Sequence, residues 1–341
     1  MRMKLRGLFI LLGVISLFIG LGIDSSKGAS MKPLDENSQQ FIVRKGESIE
    51  EIADKLAAAS MIQSKRQFIW YGRLFRKTAE IQFGIHTVSP HMKLRELYKE
   101  LSIARALPTE KIKVVIPEGF NVRQIAKRLE EKGIVEEKIF LAVAKEGNFD
   151  YWFLKDVPNY DDSNFYRLEG FLFPATYEFK PFSTPEEVLN TMLSRFEFSI
   201  NPHREIIDNG SYSIFDIIRM ASVVEREAVA DNERTTIAGV FYNRLGVGMK
   251  LQSCATVQYL FEQQRAKVTL EDLKMDSQFN TYKVEGLPLG AISNPGESSI
   301  KASIYPKEND YLFFVAVGNT GQHKFAKTFE EHEDNIKNYR D

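Results

Sequence analysis

Two stretches of this chain align with one another without a gap. Ile42-Val43-Arg44-Lys45-Gly46-Glu47-Ser48-Ile49-Glu50-Glu51-Ile52-Ala53 and Val115-Ile116-Pro117-Glu118-Gly119-Phe120-Asn121-Val122-Arg123-Gln124-Ile125-Ala126 are offset by 73 residues, and the match continues at Leu56 with Leu129, Met61 with Ile134 and Ile62 with Val135. Each copy has a short β-run, a glycine turn and apolar residues at helical spacing, so each is predicted to be a strand, a turn and an amphipathic helix. Between the copies, Phe68 to Arg76 reads as helix, Ala79 to Ser89 as β and Met92 to Ser102 as helix, with Ala104 to Thr109 as a linker.

The N-terminus adds a second constraint. Arg2, Lys4 and Arg6 precede Gly7 to Ile23, a 17-residue run without a charge that ends at Asp24. A helix of that length spans roughly 26 Å, near the lower limit for a bilayer core. The cations ahead of it place the N-terminus in the cytoplasm and the rest of the chain outside. The alternative is a cleaved signal peptide with Gly28-Ala29-Ser30 as the processing site, but its apolar region would usually be about 7 to 15 residues. The reading is therefore a cytoplasmic segment (1–6), a single-pass inner-membrane anchor (7–23), a polar turn-rich linker (24–40), a first module (41–103) and a large extracytoplasmic domain (104–341).

Composition excludes several classes. Forty-five Lys and Arg against 46 Asp and Glu leave a net charge of −1, without the positive field that generic nucleic-acid binding uses. One cysteine, Cys254, rules out an internal disulfide framework and a thiolate zinc cluster, and the five histidines form no i, i+4 pair. Phosphate-binding loops and Gly-x-Ser-x-Gly elbows are absent, so neither a cofactor nor a metal is expected.

The chemistry is sought in a polar residue set among apolar ones. Ile214, Ile217, Ile218, Ala221 and Ala228 mark one face of a helix running from about Ser213 to Val229. With Ile214 at zero and about 100° per residue, Glu225 falls at about 20°, inside that stripe, whereas Glu227 falls at about 220°. A carboxylate on a buried face is neutralised, paired or used, because desolvation disfavours its charge. A carboxylic acid kept protonated can donate to a glycosidic oxygen near neutral pH. The competing reading is a buried ion pair with Arg234 or Arg244. A further amphipathic helix, Thr235 to Leu245, follows.

The first repeat copy, with Gly46-Glu47-Ser48 leading to Ile52-Ala53, resembles the LysM type of wall-glycan-binding module; Phe120-Asn121 replaces the polar pair in the second. A wider resemblance rests on Leu168-Glu169-Gly170-Phe171-Leu172-Phe173-Pro174, Met220-Ala221-Ser222-Val223-Val224-Glu225-Arg226-Glu227-Ala228, Val240-Phe241-Tyr242-Asn243-Arg244-Leu245, Gly248-Met249-Lys250-Leu251-Gln252-Ser253, Thr256-Val257-Gln258-Tyr259, Phe279-Asn280-Thr281-Tyr282 and Ile292-Ser293-Asn294-Pro295-Gly296. Together these segments are similar to the endolytic murein transglycosylases, the MltG or YceG-like family, over roughly residues 41 to 335. Cys254-Ala255 stands where many members have Asp-Pro, and Ala175 where an Asp is frequent.

The resemblance implies cleavage of the β-1,4 bond between N-acetylmuramic acid and N-acetylglucosamine in nascent peptidoglycan, leaving 1,6-anhydro ends and limiting strand length, with Glu225 as the catalytic residue. The matching segments supply Asn243, Gln252, Asn280, Ser293, Asn294, Tyr242, Tyr259 and Glu169 as candidates for binding the glycan, through groups suited to sugar hydroxyls and N-acetyl amides. A hydrolase would use two carboxylates, and Glu169 and Glu227 are the candidates for a second. The expected partners are peptidoglycan strands, the membrane and the peptidoglycan synthases. A non-catalytic, membrane-tethered peptidoglycan-binding scaffold is the alternative. The expected fold is α+β, with helices around Glu225 and β-runs at Lys111 to Ile116 and Tyr311 to Gly318.

Overall fold

The computed structural model describes residues 37–339 apart from 45, 107, 264 and 266. The apolar run 7–23, its flanks and the repeat's Lys45 therefore lie outside the described residues. Among those described, no helix is long and apolar enough to cross a membrane. The chain divides between Arg105 and Ala106 into two compact units, and the fold is mixed α+β.

The first unit runs β1 (Gln39–Val43), α1 (Ile49–Ala58), α2 (Lys65–Leu74), β2 (Gly84–Val88) and α3 (Leu94–Leu101). β1 and β2 pair antiparallel, with Phe41 opposite His86. Ser48 caps α1 in a reciprocal capping box with Glu51, which satisfies donors that a helix start leaves open. Ile52, Ala53 and Leu56 then project into a core shared with Phe41, Val43, Phe68, Leu97 and Leu101. His86, one of the five histidines, is buried, with its ring nitrogens at hydrogen-bonding distance from the carbonyls of Gln82 and Glu100.

The second unit opens with β3 (Ile112–Ile116), α4 (Val122–Glu131) and α5 (Glu137–Glu146). The two copies of the repeat coincide residue for residue: β1 and β3, and α1 and α4, have the same bounds after the offset of 73. Their turn glycines take left-handed conformations, φ +90° at Gly46 and +75° at Gly119. The duplication goes further than the aligned residues. β4 (Ala175–Phe179) closes on β3 antiparallel, Ile116 opposite Ala175, as β2 closes on β1 with Val43 opposite Gly84. Both copies are thus strand–helix–helix–strand, and in the second a long insertion between α5 and β4 carries Glu169 and Gly170.

The remainder is chiefly helical: α6 (Pro185–Ile200), α7 (Arg204–Asp208), α8 (Ile214–Glu227), α9 (Arg234–Gly246), α10 (Cys254–Gln258) and α11 (Glu297–Ile304), then the hairpin β5 (Phe313–Ala316) and β6 (His323–Ala326) and the terminal α12 (Phe329–Tyr339). Ser213 caps α8 with Asp216 in another capping box. The amphipathic reading of this helix understated its burial, because Phe215, Met220, Ser222, Val223 and Val224 are buried as well as the predicted stripe. It is a central helix, packed by α9, α10 and α11, so most of its circumference is covered.

Candidate active site

Glu225 sits on the last turn of α8, and its side chain is only 7% exposed. Its Oε2 accepts hydrogen bonds from the Gly296 N–H (3.0 Å) and the Ser299 hydroxyl (2.7 Å), both at the start of α11. Its Oε1 lies 3.8 Å from Arg234 Nη1. Of the two cations weighed as partners, Arg234 is the one beside the carboxylate. Arg244 instead donates to the carbonyls of Leu251 and Leu312. Arg234 is itself held by Ala228 O, Ser299 Oγ and Asp231, so a fixed positive charge stands at one side of Glu225.

The loop carrying Gly296 is tied to α8 one turn earlier. The Ile292 N–H donates to Ser222 Oγ (3.0 Å) and the Ser293 hydroxyl donates to Ser222 O (3.2 Å). Asn294 then joins three segments. Its Oδ1 accepts from the N–H groups of Gly170 (3.0 Å) and Leu172 (2.8 Å), while its Nδ2 donates to Phe120 O (3.0 Å) and Glu169 Oε1 (2.9 Å). Its backbone pairs with the turn of the second repeat copy, Gly119 N–H to Asn294 O (2.9 Å) and Asn294 N–H to Phe120 O (2.8 Å). The glycine turn after β3 is thereby laid against the catalytic candidate, with the Gly119 Cα side 3.6 Å from Glu225 Cγ, measured from where a Cβ would stand.

This placement brings in a residue that sequence reasoning missed. The carboxylate of Glu118 lies over Gly296, so close that a Cβ there would stand 2.1 Å from Glu118 Oε1. Gly296 therefore touches both carboxylates, one through its N–H and the other through its Cα. Partial burial, followed by the nearby charge of Glu225, pushes the Glu118 carboxyl above its ordinary range, and Arg234 pulls the other way. The two residues considered as a second carboxylate lie elsewhere. Glu227 accepts a hydrogen bond from the Ser253 hydroxyl. Glu169 is fully buried; both of its oxygens accept from the Val122 N–H (3.1 and 3.0 Å), and it also accepts from Tyr259 OH and Asn294. Burial pushes Glu169 up to about 7, against the pull of Val122, Arg123 and Tyr259.

The residues selected to bind a glycan are mostly occupied within the protein. Asn280, Ser293, Asn294 and Tyr259 are buried. Asn280 donates to the carbonyls of Leu273 and Met275, and Tyr259 OH to Asn164 O and Glu169. Asn243 donates to Asn309 and Tyr311, and Tyr242 OH to Ser303 O. Their geometry is that of scaffold, since polar groups taken from water must find partners inside. Gln252 alone of the set is exposed, at a left-handed φ of 52°. Cys254 is exposed with Sγ 3.0 Å from Tyr282 OH, and His323 pairs with Glu233 instead. Beside Gly119 and Arg226 a concavity of about 30 Å³ continues between Asn121, Ala255, Gln258 and Ile292. It is too small to enclose a sugar ring. Among the described residues no cluster of His, Cys, Asp and Glu is placed to hold a metal ion.

The sequence model of the YceG-like family matches residues 41–338. The chain is 30% identical to the endolytic murein transglycosylase of Bacillus subtilis, over 89% of this chain and 86% of that one. It is 29% identical to the endolytic murein transglycosylase of Streptococcus pneumoniae strain D39, over 95% of this chain but 64% of the relative, so it spans less than two thirds of the pneumococcal protein's length. A crystal structure of a yceG-like protein from Listeria monocytogenes is similar at 32% identity and a TM-score of 0.59, covering 88% of this chain and 99% of the other.

Proposed function

The chain belongs to the YceG-like family, and from that premise we propose that it is an endolytic peptidoglycan lytic transglycosylase with Glu225 as its acid and base. The observation that carries this reading is the setting of Glu225: a nearly buried carboxyl with one oxygen fixed by Gly296 and Ser299 and a cation beside the other. In the proposed reaction the Glu225 proton passes to the glycosidic oxygen as the bond from muramyl C1 to that oxygen breaks. The muramyl C6 hydroxyl closes on C1, and its proton passes to the Glu225 carboxylate. The bond broken is replaced by the C1–O6 bond, the proton count balances, and no water is consumed. Fixing the carboxyl in advance lowers the reorganisation needed at the moment of transfer.

The further details belong to the same proposal. Residues 7–23 hold the protein in the inner membrane with its N-terminus in the cytoplasm, which sets the site beside nascent strands, and cleavage there limits strand length in concert with the synthases. The LysM-like first module contributes affinity for the strand. One observation favours a second reading: Glu118, beside Glu225, is a second carboxylate of the kind that hydrolysis requires.

The deciding experiment is mass spectrometry of fragments from uncrosslinked peptidoglycan incubated with the detergent-solubilised full-length protein and with Glu225→Gln. Internal fragments with anhydro-muramyl ends from the wild type, falling at least a hundredfold in the variant, are the expected result. Ordinary reducing ends would replace the lyase with a hydrolase. Binding without fragments from either protein would replace both with the non-catalytic scaffold.

A further inference from the structure

Glu118 and Glu225 reach one glycine from different parts of the chain. Glu225 comes from the end of α8 and takes the Gly296 N–H; Glu118 comes from the turn after β3 and packs on the Gly296 Cα. Two features of the backbone hold them there. The left-handed turn at Gly119 lets the chain double back over Glu225, and its paired backbone hydrogen bonds with Asn294 prevent it from lifting away. A side chain at residue 296 would occupy the place of the Glu118 carboxylate.

The groups that contact the Glu225 carboxylate directly are hydrogen-bond donors and a cation. The Gly296 N–H and the Ser299 hydroxyl donate to it, and Arg234 stands at 3.8 Å. The proposed first step needs Glu225 to give a proton, and none of these neighbours supplies one to the site. Asp231 and Glu297 act on Glu118 in the same sense as Glu225, and Arg226 lies beside Glu225 at the Gly119 turn, 3.6 Å from where a Cβ would stand. Asp231 is paired directly with Arg234, at 3.1 Å, whereas Glu118 stands across Gly296 from Glu225.

We propose that Glu118 is a positioning residue for the proton: with Glu225 it forms a carboxyl pair across Gly296 that retains one proton between them, so that Glu225 is protonated when the glycan arrives. Two neighbouring carboxylates resist ionising together, and such a pair titrates as a unit. Unlike the second carboxylate of a hydrolase, Glu118 in this role neither activates water nor attacks C1. Its contribution depends on pH, being small where Glu225 is protonated anyway and large where the proton would otherwise be lost. Glu118 remains solvent-exposed along one edge, so a bound strand that excludes water strengthens the coupling.

This inference rests on the lyase reading, and two measurements separate their failures. The first needs no substrate: NMR titration of the protein labelled with 13C at glutamate Cδ, with Glu118→Gln assigning the signal. In Glu225→Gln the Glu118 midpoint should fall toward the ordinary carboxyl range; an unmoved midpoint overturns the pair. The second is the pH profile of kcat on uncrosslinked glycan. In Glu118→Gln the alkaline limb should move about one unit toward lower pH, which is about a tenfold loss on that limb with little change at acid pH. Glu118→Asp should recover most of that shift. An equal loss at every pH, or none at any, overturns the role assigned to Glu118. Fragmentation absent from the wild type together with a midpoint that moves would leave the carboxyl pair standing and remove the lyase.

Discussion

The two copies of the repeat share their strand, left-handed glycine, helix and closing strand, yet they stand in different surroundings. In the first, the turn is at the surface: a Cβ on Gly46 would meet nothing within 4 Å. In the second, the equivalent turn lies on Glu225, carries Glu118 and pairs with Asn294. The starts of their helices differ in the same way. Ser48 and Glu51 cap α1 at the surface, whereas α4 has its own box from Asn121 and Gln124 and, in addition, a buried carboxylate, Glu169, on the N–H of its first residue. The open N–H groups of a helix start need acceptors, and the long insertion before β4 delivers a carboxyl group as one. The two copies share their local structure, and the candidate site lies where remote segments pack against the second.

Asn294→Ala should separate the copies most sharply. Asn294 is fully buried, and its side chain serves Gly170, Leu172, Phe120 and Glu169 at once. Leaving several of these groups unpaired costs about 3 to 5 kcal/mol. It should also free the turn bearing Glu118, so cleavage should fall further than the loss of folded protein explains. Urea unfolding paired with a fragment assay on the folded fraction checks both; a stable, fully active variant would show that the turn is held by other means.

A smaller effect, dependent on pH, is expected at Glu169. Its folded pKa is raised from 4.5 to about 7, so the protonated form is the one that folding favours. The stability it contributes is complete below pH 4.5 and is lost as the pH rises through 7. The shift corresponds to about 3 kcal/mol. The stability difference between wild type and Glu169→Gln, from urea midpoints at steps between pH 4.5 and 8, should therefore turn against the wild type by about that amount as the pH rises. A difference that stays flat would mean that the hydrogen bonds from Val122, Asn294 and Tyr259 keep the carboxylate charged throughout.

The sequence disclosed what short-range physics determines. The bounds of β1, α1, β3 and α4 follow from glycine turns, capping residues and apolar spacing within a dozen residues. Glu225 was visible for the same reason, as an acid among the apolar positions of one helix. The pairing of β3 with β4 was not legible, because the long insertion separates them. Nor was Glu118, whose meaning comes from Gly296 in a remote loop; the visible sign was an acid in the second turn where the first has Lys45. Asn280, Ser293 and Asn294 were selected as sugar ligands because they hydrogen-bond without charge, and that same property suits them to satisfy buried backbone. Residue type alone does not distinguish the two uses.

The smallest expected effect on stability tests the comparison itself. Gly46→Ala and Gly119→Ala each place a Cβ on a left-handed residue, at φ +90° and +75°, and each should cost about 1 to 2 kcal/mol. Neither Cβ is blocked: Gly46 faces open space, and a Cβ at Gly119 would make ordinary contacts, 3.6 Å to Glu225 and Arg226. Their effects on cleavage should nevertheless differ. At Gly46 the turn carries none of the residues around Glu225 and has room to relax. At Gly119 any relaxation of φ moves Glu118 relative to Gly296, and catalytic geometry tolerates displacements of well under 1 Å. The fragment assay should show a near-wild-type rate for Gly46→Ala and a loss of about tenfold or more for Gly119→Ala. Equal rates would mean that the second turn is, like the first, only a connection between a strand and a helix.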